Sequence, residues 1–498
     1  MSDMTASSRG RGAFFALDPR YISRVIGGML LGLAAFMLAP MAADFAVGSD
    51  DWRTFIMSAL ITGFFGLMLV LTSQWGEAKP LSRREGFLLT TASWLFMSIF
   101  AAIPFLFLGE GMSPVDAWFE AVSGLTTTGS TVITGLDALP PGLLLWRSII
   151  QWIGGIGIIV MAIIMLPFLR VGGMQLFRTE SSDRSGKIVP RAGQLVGYIG
   201  LTYGGLTLMC LVAYTVAGMS LFDAANHAMT TVATGGFSTH DLSFNSFPQR
   251  AIHWVAIGFM ILASLPVVLY IRLLWGGVWS FWRNGQVRGF LAAAAGFSLV
   301  LGLWHAHAQH LSLDISYEEV VFNVVSILST TGFVLGDYTA WGSPAIGIFF
   351  ILTFLGGCTG STAGGIKMFR LQIMWLSARA YIANLISPRR VSSLLYDGRL
   401  VGDDVPAAIL AFIAALLSVL AVLTLALSAL GLDLLTSLTG AATAIANVGP
   451  GLGSIIGPSG HFNTLPDSAK LLLAVAMLLG RLEFFTVLVL LDPSFWRR

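Results

Sequence analysis

Long apolar runs alternate with short polar linkers along almost the whole chain. Charge-free windows fall at residues 25–43, 55–76, 86–109, 148–169, 192–222, 251–271, 289–313, 338–366 and 405–432. A tenth window, 471–491, is complete only if Arg481 and Glu483 lie inside it. A membrane-spanning helix needs about 20 apolar residues. The pattern therefore predicts ten spans, with both termini on one side. Between the windows lie four amphiphilic runs too short to cross. Each leads into a glycine-bearing segment: residues 126–130 (TTTGS), 233–237 (ATGGF), 329–333 (STTGF) and 447–451 (NVGPG).

The starts of these runs recur as well. Ser113, Ser220 and Ser316 each open an S-x-x-D/E tetrapeptide ending at Asp116, Asp223 and Glu319, close to a capping box. Asp433, at the head of the fourth, is itself a good N-cap. From cap to the glycines taken as equivalent (Gly129, Gly235, Gly332 and Gly449), the distances are 16, 15, 16 and 16 residues. About twelve helical residues make roughly 18 Å, half a membrane. The runs are expected to be re-entrant helices. The expected fold is an all-α integral membrane protein of ten transmembrane helices, with four pseudo-repeats of helix, pore helix, filter segment and helix around one central pore. An N-terminal helix pair occupies residues 1–78. The repeats follow at 79–172, 173–283, 284–398 and 399–498.

Composition agrees: 55% of the 498 residues are apolar and 11% charged, against about a quarter charged in soluble domains. The net charge of +2 says little about partners. The linkers fall into two sets. The basic set comprises the N-terminus, Lys79/Arg83/Arg84, residues 170–191, Arg272/Arg283/Arg288, residues 367–399 and Arg497/Arg498. The acidic set comprises Glu110, Asp116, Glu120, Asp137, Asp223, Asp241, Asp314, Glu318, Glu319, Asp337 and Asp433. The positive-inside rule places the basic set and both termini in the cytoplasm. The acidic set then faces outside, where it raises the local cation concentration. A signal peptide is disfavoured by the long basic lead and the lack of a clean A-x-A site.

The direction of the short helices suggests chemistry. A helix that enters from outside and stops mid-membrane aims its partially negative C-terminal end at the membrane centre. Non-helical backbone is tolerated there only where it lines a cavity. Rings of carbonyls replace the hydration shell of potassium. The backbones expected to do so are Thr127, Thr128 and Gly129; Ala233, Thr234 and Gly235; Thr330, Thr331 and Gly332; and Asn447, Val448 and Gly449. The alternative is an alternating-access transporter, proton- or sodium-coupled, of another cation or small solute around a midplane site. Such repeats are usually inverted pairs, whereas the linker charges put all four helices on one side. An enzyme is not supported, because no nucleophile, base or metal ligands cluster. Cys210 and Cys358 make no disulfide framework, His305, His307 and His310 match no zinc spacing, and no P-loop is present.

Two further features lie below the expected filter. Residues 354–366 are nearly all small, and each glycine costs a helix roughly 1 kcal/mol relative to alanine, so the stretch is expected to break into a loop. Arg481 lies inside the last apolar window, where charge is costly and functional by default. Glu483, two residues on, is a poor intrahelical partner. Arg481 is expected to face the pore or the loop, with an interhelical salt bridge as the alternative.

The four segments, with QWIGGIG at 151–157 and GGCTGSTAGGIK at 356–367, resemble the TrkH/KtrB family of potassium-transporting proteins. The resemblance runs from about Gly86 to the end, and the extra N-terminal pair resembles the TrkH branch. It implies potassium uptake through a single-chain pore. It implies a gate loop made of Gly356, Gly357, Cys358, Thr359, Gly360, Ser361, Thr362, Ala363, Gly364 and Gly365, with Lys367 at its cytoplasmic end and Arg481 contributing to the barrier. It also implies a homodimer in the bacterial inner membrane and a cytosolic nucleotide-binding regulatory subunit of the TrkA type. The basic loops at 169–194 and 369–399 would dock that subunit. Membrane lipid is the other expected partner. Potassium is the transported ligand, and neither a cofactor on this chain nor a nucleic acid is expected. Related eukaryotic transporters that carry serine at the first filter position conduct sodium, so Gly129 implies potassium preference. The fourth segment lacks both hydroxyls, which implies softer selectivity.

Overall fold

The computed structural model describes residues 19–73, 82–107, 111–165, 192–274, 279–309, 313–389 and 394–497. Among these, seven helices are long and apolar enough to cross a membrane: Pro19–Val47, Trp52–Thr72, Arg83–Phe107, Pro141–Met161, Val196–Ala217, Gly285–Ala308 and Asp404–Ala429. Two more expected spans are present as bent pairs. Arg250–Ala263 meets Val267–Leu273 at 93°, and Asp467–Arg481 meets Phe484–Leu491 at 111°. The window at 338–366 is a half-length helix, Ser343–Phe354, that stops at the glycine-rich stretch. Among the described residues the ten expected windows thus appear as seven continuous helices, two bent pairs and one half-length helix. Pro266 lies in the first break and supplies no backbone N–H to continue the helix. The glycine run makes the third break. Outward-facing side chains are apolar, with Val216 82% and Leu201 69% exposed, as a lipid-facing surface requires.

The four short helices are Pro114–Leu125, Leu221–Val232, Leu313–Leu328 and Leu434–Ala446. Ser113 accepts from the Asp116 N–H at 3.1 Å, Ser220 from the Asp223 N–H at 3.0 Å, and Asp433 from the Thr436 N–H at 3.0 Å. Three of the four expected caps are thus made. The third helix begins a turn earlier, at Leu313, and the side chain of Ser316 lies outside the described residues. These helices are buried on nearly every side, and the longer helices surround them.

The N-terminal pair packs on the first repeat. Gly27 and Gly66 let its helices close: a Cβ on Gly27 would stand 2.7 Å from the Gly66 carbonyl, a small-residue contact typical of membrane helices. Asp44 reaches across to accept from the Gly142 N–H at 2.6 Å, capping helix Pro141–Met165 from a neighbouring element. Of the expected unit boundaries, 78/79 and 172/173 lie outside the described residues. The one at 398/399 falls in the turn of a small hairpin, Leu395–Tyr396 with Arg399–Leu400.

Candidate functional site

The four segments share one backbone course. Just past each helix a side-chain-bearing residue takes the left-handed conformation: Thr127, Thr234, Thr330 and Asn447, at φ 52°, 52°, 58° and 55°. The next residue donates its N–H back into the helix: Thr128 to Ser123, Gly235 to Thr230 and Thr331 to Ser326 at 2.9 Å, and Val448 to Thr443 at 3.1 Å. A glycine with positive φ follows: Gly129, Gly236, Gly332 and Gly449. This register corrects the second triplet. Gly236, not Gly235, matches Gly129, and Ala233 is the C-cap of its helix. With Gly236 the cap-to-glycine distance is 16 in all four, so the odd value of 15 was the sign of the slip.

The segments close into a ring. A Cβ on Gly129 would collide with the Gly235 carbonyl, on Gly236 with that of Thr331, and on Gly332 with that of Val448. On Gly449 it would stand 2.7 Å from the Thr128 carbonyl. Each glycine thus abuts the next segment, in chain order, and the fourth returns to the first. Left-handed φ and a facing carbonyl together leave room for no side chain. Ser130 also donates to the Gly449 carbonyl at 2.8 Å, and Asn447 Nδ2 to Thr128 Oγ1 at 3.0 Å. The four glycines line one recess, with Ser130, His240 and Asp241 on its wall.

Each helix is tied to the segment that leaves the ring, by a different group each time. The Val132 N–H donates to Glu120 at 3.0 Å, Leu335 to Asn323 Oδ1 at 3.1 Å and Leu452 to Thr439 at 3.1 Å. In the second repeat His227 Nε2 pairs with Ser238 Oγ at 3.0 Å. Glu120 also holds Arg147 at 2.9 Å, both fully buried, and Arg147 donates to the Ser238 carbonyl at 2.9 Å while lying 4.1 Å over the Phe237 ring. Glu120 is therefore not part of an acidic vestibule. Other carboxylates of that set are paired too: Asp116 with Lys470 at 2.6 Å, Glu318 with Arg250 at 3.0 Å, and Asp137 and Asp223 with His240. Gln151 opens the QWIGGIG stretch, and nothing in that spelling marks its role. It braces the second segment, donating to the Gly235 carbonyl at 2.6 Å and accepting from the Phe237 N–H at 3.1 Å. Gly235 is a glycine because a Cβ there would run into Gln151.

Directly beneath the ring lies the glycine-rich loop. Its neck is a pair of bonds, Gly356 N–H to the Ile366 carbonyl at 3.0 Å and Ile366 N–H to Phe354 at 2.9 Å. From there it reaches the inner ends of three short helices. Thr362 donates to the Val232 carbonyl at 3.1 Å, Gly364 N–H to Thr330 Oγ1 at 2.6 Å, and Gly365 N–H to the Ala446 carbonyl at 2.9 Å. Cys358 N–H and the Gly360 carbonyl fill the break at residues 264–267, bonding Ser264 at 2.9 Å and Val267 at 3.0 Å. Lys367 Nζ donates back to the Ala363 carbonyl. Arg481 is 4% exposed and donates Nη1 to the Thr362 carbonyl at 2.9 Å. Of the two expectations for Arg481, loop contact is the one found. Its counterpart in the first repeat is Gly155, because Gly154 packs on the Leu125 carbonyl as Gly480 does on that of Ile445.

The weaker signals resolve simply. His305 packs against Trp341 with ring centroids 4.3 Å apart, His310 lies outside the described residues, and both cysteines are buried and outside any disulfide. Among the described residues no group of three His, Cys, Asp or Glu could hold a metal.

The TrkH family profile, described as a cation transport protein, matches residues 53–497. The chain belongs to the TrkH family. The Trk system potassium uptake protein TrkI of Halomonas elongata is 45% identical over 479 residues, covering 96% of this chain and 97% of that protein. The Trk system potassium uptake protein TrkH of Escherichia coli is 34% identical, covering 96% and 99%. The crystal structure of the potassium transporter TrkH from Vibrio parahaemolyticus matches with a TM-score of 0.89 at 33% identity, covering 96% of this chain and all of that one. A TrkH-family chain is a transporter, not an enzyme, and needs no cofactor for that work.

Proposed function

We propose that this chain takes up potassium through the ring of glycine segments, in the bacterial inner membrane, with the 356–365 loop and Arg481 as the gate. The observation that carries the reading is the closure of four equivalent segments at the C-terminal ends of four short buried helices. Those ends bear partial negative charge, and stacked carbonyls stand in for the water that a potassium ion sheds. The relatives' names supply the ion. Ions enter the outer recess, dehydrate between Thr127–Gly129, Thr234–Gly236, Thr330–Gly332 and Asn447–Gly449, and stop above the loop. Arg481 places a cation in their path at low effective dielectric, where repulsion is strong. Opening requires the loop to leave the helix ends it bonds.

The linker charges put both termini in the cytoplasm. Uptake is regulated by a TrkA-type cytosolic nucleotide-binding subunit, the chain working as a homodimer. Of the two basic docking loops, 169–194 lies largely outside the described residues. The test is potassium-limited growth of an uptake-deficient host. Wild type restores growth, and Gly129→Ser restores it poorly while admitting sodium. Wild type that reaches the membrane without restoring growth overturns the reading.

A further inference from the structure

We propose that Glu483 is a positioning residue that exchanges guanidinium partners. It holds Arg370 while the loop is seated, and takes Arg481 when the loop leaves, drawing that arginine out of the ion path. The inference rests on the gate reading above.

Three observations carry it. First, Glu483 sits in the break of the last span, between Asp467–Arg481 and Phe484–Leu491, with φ at +55°. Side-chain-bearing residues rarely adopt that conformation, and it persists only where surrounding contacts impose it. Second, Glu483 Oε2 accepts from Arg370 Nη2 at 2.8 Å. Arg370 is 6% exposed on its side chain and lies 4.0 Å over the Phe412 ring. It stands three residues beyond Lys367, in the first turn of helix Met368–Ile386, which receives the end of the loop. One ion pair therefore joins the loop's exit to the hinge that carries Arg481. Third, Arg481 is buried with a single bond to the Thr362 carbonyl, and its Nε and Nη2 meet no acceptor among the described residues.

A guanidinium presents five donors in a fixed fork that suits a carboxylate. Orphaned charged donors in a buried site are costly. The nearest carboxylate in sequence is Glu483, and Arg370, Arg481, Glu483 and Lys367 all line one small cavity beneath the ring. On a continuous helix, residues two apart face away from each other. The break after Arg481 removes that obstacle. Two arginines thus compete for one carboxylate, and the bond of Arg481 to the loop is the weaker claim on its guanidinium. When the loop withdraws Thr362 and shifts Arg370, the exchange satisfies Arg481 and clears the path together.

The test is rubidium flux through the full-length chain in liposomes, comparing two neutralisations of the same ion pair. Arg370→Gln frees Glu483 for Arg481 and raises flux about fivefold, the effect of roughly 1 kcal/mol on a closed–open equilibrium. Glu483→Gln leaves Arg481 with no carboxylate and does not raise flux. Adding Glu483→Gln to Arg481→Ala leaves the flux of Arg481→Ala unchanged. Potassium-over-sodium selectivity stays constant throughout, because the ring is untouched. Arg370→Lys, which keeps the charge and loses the fork, gives an intermediate rise and stands in if Arg370→Gln fails to fold. If both neutralisations raise flux alike, or both lower it, partner exchange is wrong. If Arg481→Ala itself leaves flux unchanged, the gate reading fails first.

Discussion

Around the ring, Thr127, Thr234, Thr330 and Asn447 keep φ between 52° and 58°, although one of the four is not a threonine. A short distance beneath, the repeats share little. The second helix of repeat one runs unbroken from Pro141 to Met165, while those of repeats two, three and four break at Ser264–Pro266, at the glycine loop and at Leu482–Glu483. One arginine stands where the first repeat has Gly155. The difference fits what each layer would do in the proposed pore. An ion in the ring would meet all four segments at once, so each would have to present its carbonyls alike. A barrier would need only one movable obstacle, and a single loop bonded to three helix ends could be withdrawn as a unit.

Substitutions in the ring carry the largest expected effects. Gly236→Ala and Gly332→Ala are each expected to cut rubidium uptake more than a hundredfold, since the added Cβ meets backbone rather than a yielding side chain. Gly235→Ala, which meets only Gln151, is expected to lose far less. Equal losses at 235 and 236 would undo the register. Next comes the brace behind it. Arg147→Met strands Glu120 in a buried site, a loss of about 3–5 kcal/mol, to be read as a drop in the thermal midpoint of the purified protein. Arg481→Ala acts on the lower layer alone. It is expected to raise flux about tenfold, roughly 1.4 kcal/mol on the barrier, with selectivity unchanged. Altered selectivity would mean that the two layers are not separable.

Gln151→Leu sharpens the comparison from within the ring, since the second segment leans on this side chain where the first and third pair their own hydroxyls, Thr126 with Thr128 and Ser329 with Thr331, each at 2.7 Å. Losing its two hydrogen bonds, at about 1 kcal/mol each, is expected to lower potassium-over-sodium preference several-fold in competition assays. The smallest effect lies at the rim. Hydrogen bonds to Asp223 and then Asp137 outweigh burial and push His240 up from its usual 6.5 to about 9. A raised folded pKa stabilises while the ring is protonated. Its contribution is complete below about pH 6.5 and disappears as pH rises through 9. Melting of wild type should therefore fall between pH 7 and 10 by a little more than that of His240→Ala; parallel curves would remove the rim from the account.

The short helices were legible because their signals are local. Ser113, Ser220 and Asp433 cap where their side chains reach their own backbone, and the half-membrane length follows from counting. In the second segment Gly235 and Gly236 are adjacent and spelled alike; the cap spacing of 16 points to Gly236, and its positive φ, the bond of Gly235 to Thr230 and the contact of Gln151 decide it. Glu120 passed for a vestibule acid because its partner, Arg147, is 27 residues away. The window at 338–366 passed for a span because Gly, Ser and Thr are neither charged nor strongly polar, and its bonds to Val232, Thr330 and Ala446 have no spelling in the window itself.

What the chain determined unaided is the number of short helices, the caps of three of them, their place just before the glycine segments, and the presence of one arginine in an apolar window near one glycine-rich break. Caps, dipoles and apolar run lengths act within a turn or two of backbone, so residue order alone decides them. Tertiary structure decided that the segments close head to tail, which side chain braces each, where the loop seats and which carboxylate answers which arginine. Those are pairings between groups tens to hundreds of residues apart, and their energies depend on distance and burial that only the assembled fold supplies.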